Sequence, residues 1–242
     1  MSVYKLAFIE ENALNTYVWC EDTGSGYTFW KNIFRVMYEG FTVDSQEGNS
    51  RLCKFVARIE DDGNRHYVIM DHSIDNPEVL REIQRLHTAI KGKDNIRVIE
   101  VQSFEFVLLS FRLLEDWVFA EEDELKEKRS NLLEAKDLFV QIMTSGGDAS
   151  SLKSFKELFD IPIARNSEQI SSSLLYEITR NTGFETGKGT LGDCFSVDCC
   201  DWKSREDDDI CGLDDRRISA DEKFRSVFEY SVLKDFFAKA GL

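Results

Sequence analysis

Three short segments place acidic residues where they can do chemistry: Trp19-Cys20-Glu21-Asp22, Val68-Ile69-Met70-Asp71-His72-Ser73-Ile74-Asp75 and Ser103-Phe104-Glu105-Phe106. In the first two, an apolar, strand-like run ends directly on carboxylates. In the third, a glutamate sits inside an apolar segment just after another such run. A carboxylate where a buried strand emerges is costly unless it faces a cleft, and several of them can converge on one hard cation. The chemistry this pattern points to is magnesium-dependent phosphoryl transfer.

The surrounding sequence supplies elements that bring these acids together. Thr16–Cys20, Phe41–Asp44, His66–Met70 and Ile96–Val101 read as strands, with a further strand at Val3–Ile9. Between them, Phe29, Trp30, Ile33, Phe34 and Met37 recur at helical spacing, and Leu52, Phe55, Val56 and Ile59 form one stripe of a helix over 49–59. Asn76-Pro77-Glu78 opens another helix, with proline in the first turn and an acid complementing the dipole, and Gly92 closes it. Strands and helices alternating at this spacing predict an α/β fold with a parallel sheet flanked by helices. Ligands of such sheets bind beyond the carboxyl ends of the strands, where Glu21 and Asp71 fall. From Phe104 the chain turns helical: an apolar stretch to Phe119, a charge run over Glu121–Arg129 and an amphipathic stretch over Leu132–Met143. Ser145 to Ser151 reads as a linker. It divides the chain into an α/β domain with a helical extension over 1–143 and a mostly helical C-terminal region over 152–242. In the second region, helices near Leu152–Phe159 and Ser167–Arg180 precede a cysteine-rich acidic loop and a last helix over Ser219–Ala240.

Composition narrows the function classes. The 242 residues are 42% hydrophobic and include 18 Phe, enough for a substantial core. Thirty basic residues against 45 acidic ones leave a net charge of −15, with no long basic tract. A protein that coats DNA is thereby excluded, whereas an enzyme reaching nucleic acid through a metal and a local basic patch is not. No apolar run approaches the roughly 18 residues that span a bilayer, and the first residues do not read as a secretory signal, so a cytoplasmic protein is expected.

The order and spacing of the acidic segments resemble the TOPRIM fold, and more narrowly the TOPRIM-like proteins of the RloB type from bacterial defence loci. Cys20-Glu21-Asp22 through Gly26 with the Phe29-Trp30 helix, the strand Val68–Asp75, and Ser103 to Phe111 carry the likeness, together spanning residues 16–111. The resemblance implies a metal-dependent nuclease or related phosphoryl-transfer component of a prokaryotic defence system, working with an ATPase or another effector. In such a site Asp71 and Asp75 hold Mg²⁺ (or Mn²⁺) and Glu21 is a general acid or base or a further ligand. Glu105 orients the site from the following helix, and Lys31 or Arg35, with His72, contacts phosphate. Two residues depart from the family pattern: Ser73 stands where a second aspartate is usual, and Asp22 where a glycine follows the glutamate. Two readings therefore stay open, an active metal site and a catalytically inactive module that binds a protein partner through its acidic surface.

Two further features bear on chemistry. Cys194, Cys199, Cys200 and Cys211 supply four thiols, enough for a tetrahedral zinc, although the adjacent pair and the flanking Asp193, Asp198 and Asp201 oppose it. Simple reduced cysteines and a redox pair are the other readings. Gly187 to Gly192 matches a dinucleotide-binding glycine pattern, but no strand leads into it, so a flexible loop is expected.

Overall fold

The computed structural model describes residues 14–119, 123–200, 213 and 218–242. The expected strand at Val3–Ile9, the start of the charge run and Cys211 lie outside the described residues. Among the described residues, β1 (Thr16–Cys20), β2 (Phe41–Ser45), β3 (Arg65–Asp71) and β4 (Ile96–Val101) form a parallel sheet in the order β2-β1-β3-β4. They alternate with α1 (Gly24–Met37), α2 (Asn49–Val56) and α3 (Pro77–Ile90). The chain is α/β, as the alternation predicts.

Both faces of the sheet are covered, which is why its strands read as nearly continuous apolar runs. Val18, Cys20, Ile69 and Ile99 point into a large cluster with Phe29, Trp30, Ile33 and Phe34 of α1. Their neighbours Trp19, Val68, Met70 and Val98 point the other way, against Leu52 and Val56 of α2 and Val79, Ile83 and Leu86 of α3. Placing α1 on one face and α2 and α3 on the other is what right-handed crossovers require when the chain steps from β1 to β2 and then back across to β3 and β4. Each fully buried aromatic contributes about 1.5–3 kcal/mol, so the Phe-rich composition is spent mainly on the first face.

The remaining helices are α4 (Phe104–Leu109), α5 (Leu114–Phe119), α6 (Asp123–Lys128), α7 (Ser130–Thr144), α8 (Ala149–Leu158), α9 (Ser167–Thr179), α10 (Asp193–Ser196), α11 (Ala220–Tyr230) and α12 (Leu233–Lys239). They extend the α1-side cluster without interruption: Phe139, Phe155, Leu175, Phe224 and Phe237 all belong to it. The stretch expected as a linker is a turn. Gly147 N–H donates to the Ile142 carbonyl (2.9 Å), and Asp148 Oδ1 caps α8 by accepting from Ser151 N–H (2.9 Å). Among the described residues no helix is long and apolar enough to cross a membrane.

Three helices end where their apolar pattern does not. The 49–59 helix stops at Val56, and Lys93 Nζ donates to the carbonyls of Ala57 (2.8 Å) and Ile59 (2.7 Å) just beyond it. The expected Phe104–Phe119 helix breaks at Ser110, and the expected Ser219–Ala240 helix breaks at Ser231. These two breaks face each other: Arg112 N–H donates to the Tyr230 carbonyl (2.9 Å) and Val232 N–H to Ser110 Oγ (3.3 Å). Each interruption supplies an acceptor for a backbone N–H that the other leaves free, a carbonyl at Tyr230 and a hydroxyl at Ser110.

Candidate active site

In this topology the chain leaves β1 toward one neighbour and β3 toward the other, so the crossovers diverge and leave a crevice at the carboxyl ends of β1 and β3. Cys20 pairs in register with Ile69, so Glu21 and Asp71 emerge side by side, and Asp71 N–H donates to Glu21 Oε1 at 3.1 Å. Asp22 follows at the entry to α1, its Oδ2 accepting from Trp30 Nε1–H at 2.6 Å. Glu105 comes from the first turn of α4, where the Ser103 side chain caps the helix by accepting from Phe106 N–H (3.2 Å). A fifth acid, Glu168, was not foreseen. It stands in the first turn of α9, beneath an Asn166–Gln169 capping box, and its Oε1 accepts from Asn76 Nδ2 at 3.5 Å. These five side chains line an open cleft of about 520 Å³.

The cleft is electrostatically costly to its own acids. Burial, reinforced by the Asp22 charge, pushes Glu21 up to about 7 despite the Asp71 N–H. Burial also lifts Glu105 to about 7 and raises Asp22, against the pull of the Trp30 N–H. Asp71 is driven well above the usual carboxylate range, by burial first and then by Glu21 and Asp22. Glu168 is raised too, mainly by burial, with Lys188 acting the other way. Lys188 is the one basic side chain along this wall among the described residues.

A hard cation fits this donor set by chemistry: every acid is an oxygen donor, and the buried Asp71 Oδ1 has no hydrogen-bond partner. As the side chains stand, no three His, Cys, Asp or Glu residues among those described close on one ion.

Asp75, expected as a metal ligand, does not line the cleft with the other acids and is engaged elsewhere. Its Oδ2 accepts from Lys156 Nζ at 3.0 Å, and its Oδ1 accepts from Ser167 N–H at 2.9 Å and from Ser73 Oγ at 3.3 Å. Ser73 is itself wholly buried and within 3.1 Å of Ser167 Oγ. The pair thus anchors the start of α9, the turn that delivers Glu168. The expected phosphate contacts also lie elsewhere. Arg35 pairs with Asp221 (2.6 Å), Lys31 lies over the Tyr27 ring, and His72 faces Glu100 (3.8 Å).

Cys194 and Cys199 are half-buried against the core and Cys200 is exposed, so these three do not gather at one point. The glycine-rich segment is more ordered than expected. Gly187 and Thr190 exchange backbone hydrogen bonds (3.1 and 3.0 Å), and Ser25 Oγ donates to the Gly189 carbonyl (3.0 Å). A tight hairpin turn therefore hangs over the acidic cleft and carries Lys188 at its tip.

Gly26 allows Asp22 its place. A Cβ on Gly26 would fall 2.4 Å from Asp22 Oδ1, and the carboxylate is held from behind by Trp30. Alanine is the better helix former by about 1 kcal/mol, so the sign of the Gly26→Ala effect isolates the clash. We expect a net loss of roughly 1–2 kcal/mol in a denaturant melt, with a shift in Trp emission as the Trp30–Asp22 bond breaks. A stabilised variant would show that Asp22 moves aside freely.

The chain was compared with protein-family models, with curated proteins and with solved structures, and none matches it significantly.

Proposed function

We propose that the cleft is a divalent-metal-dependent phosphoryl-transfer site, and that its reaction is hydrolysis of a phosphodiester. The observation that carries this reading is the convergence of Glu21, Asp22, Asp71, Glu105 and Glu168 on one crevice at the switch point of a parallel sheet, with Asp71 Oδ1 left unpartnered. Acids gathered at such depth repel one another, and a bound cation would offset that repulsion. Glu21 and Asp71 would hold Mg²⁺ or Mn²⁺, which supplies charge stabilisation on a phosphate and an activated water. Glu105, balanced near neutrality, is suited to hold or release a proton at its carboxyl oxygen. Lys188 offers its ammonium to the phosphate from across the cleft. The TOPRIM-like resemblance supports the same reading and adds an ATPase or another defence effector as partner.

The test is calorimetric titration of the protein with Mn²⁺ at pH 7.5, paired with cleavage of a phosphodiester substrate. One binding event is expected, lost in Glu21→Gln and in Asp71→Asn, with cleavage abolished by EDTA. A flat titration would instead favour the inactive, partner-binding module. Ser73 is the observation on that side, because the position of a second aspartate is built into the scaffold through Asp75 and Ser167.

A further inference from the structure

We infer that the groove leading from the acidic cleft along α9 binds an unpaired nucleic-acid strand, with Lys188 and Arg165 on successive phosphates and Tyr176 stacked on a base. This rests on the phosphoryl-transfer reading for the position of the scissile phosphate, but the strand contact itself can be measured without metal.

A second cavity of about 460 Å³ adjoins the acidic one and shares Gln169, Ser172 and Lys188 with it. One wall is the outward face of α9, and the other is the Gly187–Thr190 hairpin. The hairpin is held in place from both sides. Thr186, fully buried, accepts from Gly192 N–H (3.0 Å) through its Oγ1, while its own N–H donates to Thr179 Oγ1 (3.0 Å). Gly189 turns the tip at φ +78°, and Gly187 lies so close to Tyr176 that a Cβ would come within 3.3 Å of the ring. One side of Tyr176 is thus backed by the hairpin, yet the residue remains 43% exposed.

The two cations are available. Among the described residues neither Arg165 nor Lys188 is in an ion pair: the Arg165 guanidinium donates to Ser173 Oγ (3.1 Å), and the Lys188 charge is felt by Glu168 without a direct contact. Glu185, the acid on the same wall, is engaged by Asn181 N–H (2.9 Å). Lys188 stands at the junction with the acidic cleft and Arg165 lines only the far cavity, a layout that asks for more than one phosphate.

The choice of an unpaired strand follows from energetics. A chain of net charge −15 cannot hold a polyanion through two cations alone, because each neutralised phosphate adds only a salt-sensitive increment. Stacking on an exposed aromatic ring supplies the rest, and a duplex keeps its bases out of reach of such a ring.

The experiment is fluorescence anisotropy of the whole chain in EDTA, using a fluorescein-labelled oligothymidylate about 12 nucleotides long, enough to cover the groove. An oligouridylate, the matching duplex and free thymidine monophosphate as competitor complete the set. Binding of either single strand is expected, with the logarithmic salt slope near −1.4 for two phosphates and about −0.7 in Lys188→Gln. Tyr176→Ala should weaken binding roughly tenfold, and Tyr176→Phe should restore it. The thymidylate and uridylate arms tell DNA from RNA. Equal binding of the duplex, full competition by the mononucleotide, an indifferent Tyr176→Ala, or no strand binding with or without Mn²⁺ would each overturn the proposal. Strand binding without Mn²⁺ uptake keeps the groove and sinks the metal site. Mn²⁺ uptake without strand binding does the reverse.

Discussion

Asp71→Asn is expected to make the protein more stable at neutral pH while abolishing metal binding in the cleft. Asp71 is the acid pushed furthest from its ordinary range, by burial and by Glu21 and Asp22, and its Oδ1 has no partner to offset the cost. An asparagine of the same shape carries no charge to desolvate, and its amide can donate toward the neighbouring carboxyls. The gain should be of order 2 kcal/mol at pH 7.5, which for a chain of this size is a rise in Tm of about 4–8 °C. Its pH dependence identifies the cause. Glu21 and Glu105 titrate at about 7 when folded, against 4.5 in the unfolded chain. Between those values the folded state binds more protons, so the wild type loses stability as pH rises through this window. Asp71 contributes in the same direction from its own unfolded value of 3.8 upward, so the advantage of the variant should shrink as pH falls and approach zero only below about pH 4. Mn²⁺ at pH 7.5 should narrow the gap by stabilising only the wild type. A variant that melts below wild type at pH 7.5, or with the same offset at both pH values, would show that the acids in the cleft do not repel one another.

The parts of this site that are legible in the sequence share one property: topology alone brings them together. Glu21 and Asp71 sit at the ends of apolar runs that only a sheet buried on both faces explains, and parallel pairing then places them adjacent. Asn76-Pro77 announces α3 through local chemistry, and the structure adds a cap, with Asn76 Oδ1 accepting from Glu78 N–H. Glu168 carries no comparable signal. The Asn166-Ser167-Glu168-Gln169 cap marks a helix start, but nothing local says that this start docks beside β3. The same holds for Lys188, whose glycine-rich surroundings imitate a phosphate loop in composition while forming a hairpin turn in fact. The breaks at Ser110 and Ser231 are legible only as a pair, since each depends on an acceptor more than a hundred residues away. The surroundings of Asp75 are hidden from the sequence for a similar reason. Its distance from Asp71 in sequence suits a shared metal, and the competing partner, Lys156, lies 81 residues downstream.

That partner gives the second large effect. Asp75→Asn and Lys156→Met should each cost about 3–5 kcal/mol, because either substitution leaves one member of a buried ion pair without its counter-charge. The side chains are only 13% and 7% exposed, and the pair is not redundant: Asp75 also accepts from the backbone at the start of α9, and Lys156 also donates to the Ile163 carbonyl (3.4 Å). The double variant Asp75→Asn/Lys156→Met removes both charges and should recover a large part of the loss, so the coupling energy in the double-mutant cycle should be well above 1 kcal/mol. An activity assay alone would misassign Asp75, since loosening α9 also loosens Glu168 and the rim that carries Ser172. The distinction lies in Mn²⁺ titration well below the melting temperature of each variant. An anchor predicts that folded Asp75→Asn and Lys156→Met bind the ion with nearly the same, slightly weakened affinity. A ligand predicts that Asp75→Asn loses binding while Lys156→Met, which frees the carboxylate, keeps or strengthens it. The hydrogen bonds around Asp75 select the first outcome, and the second would return it to the metal site.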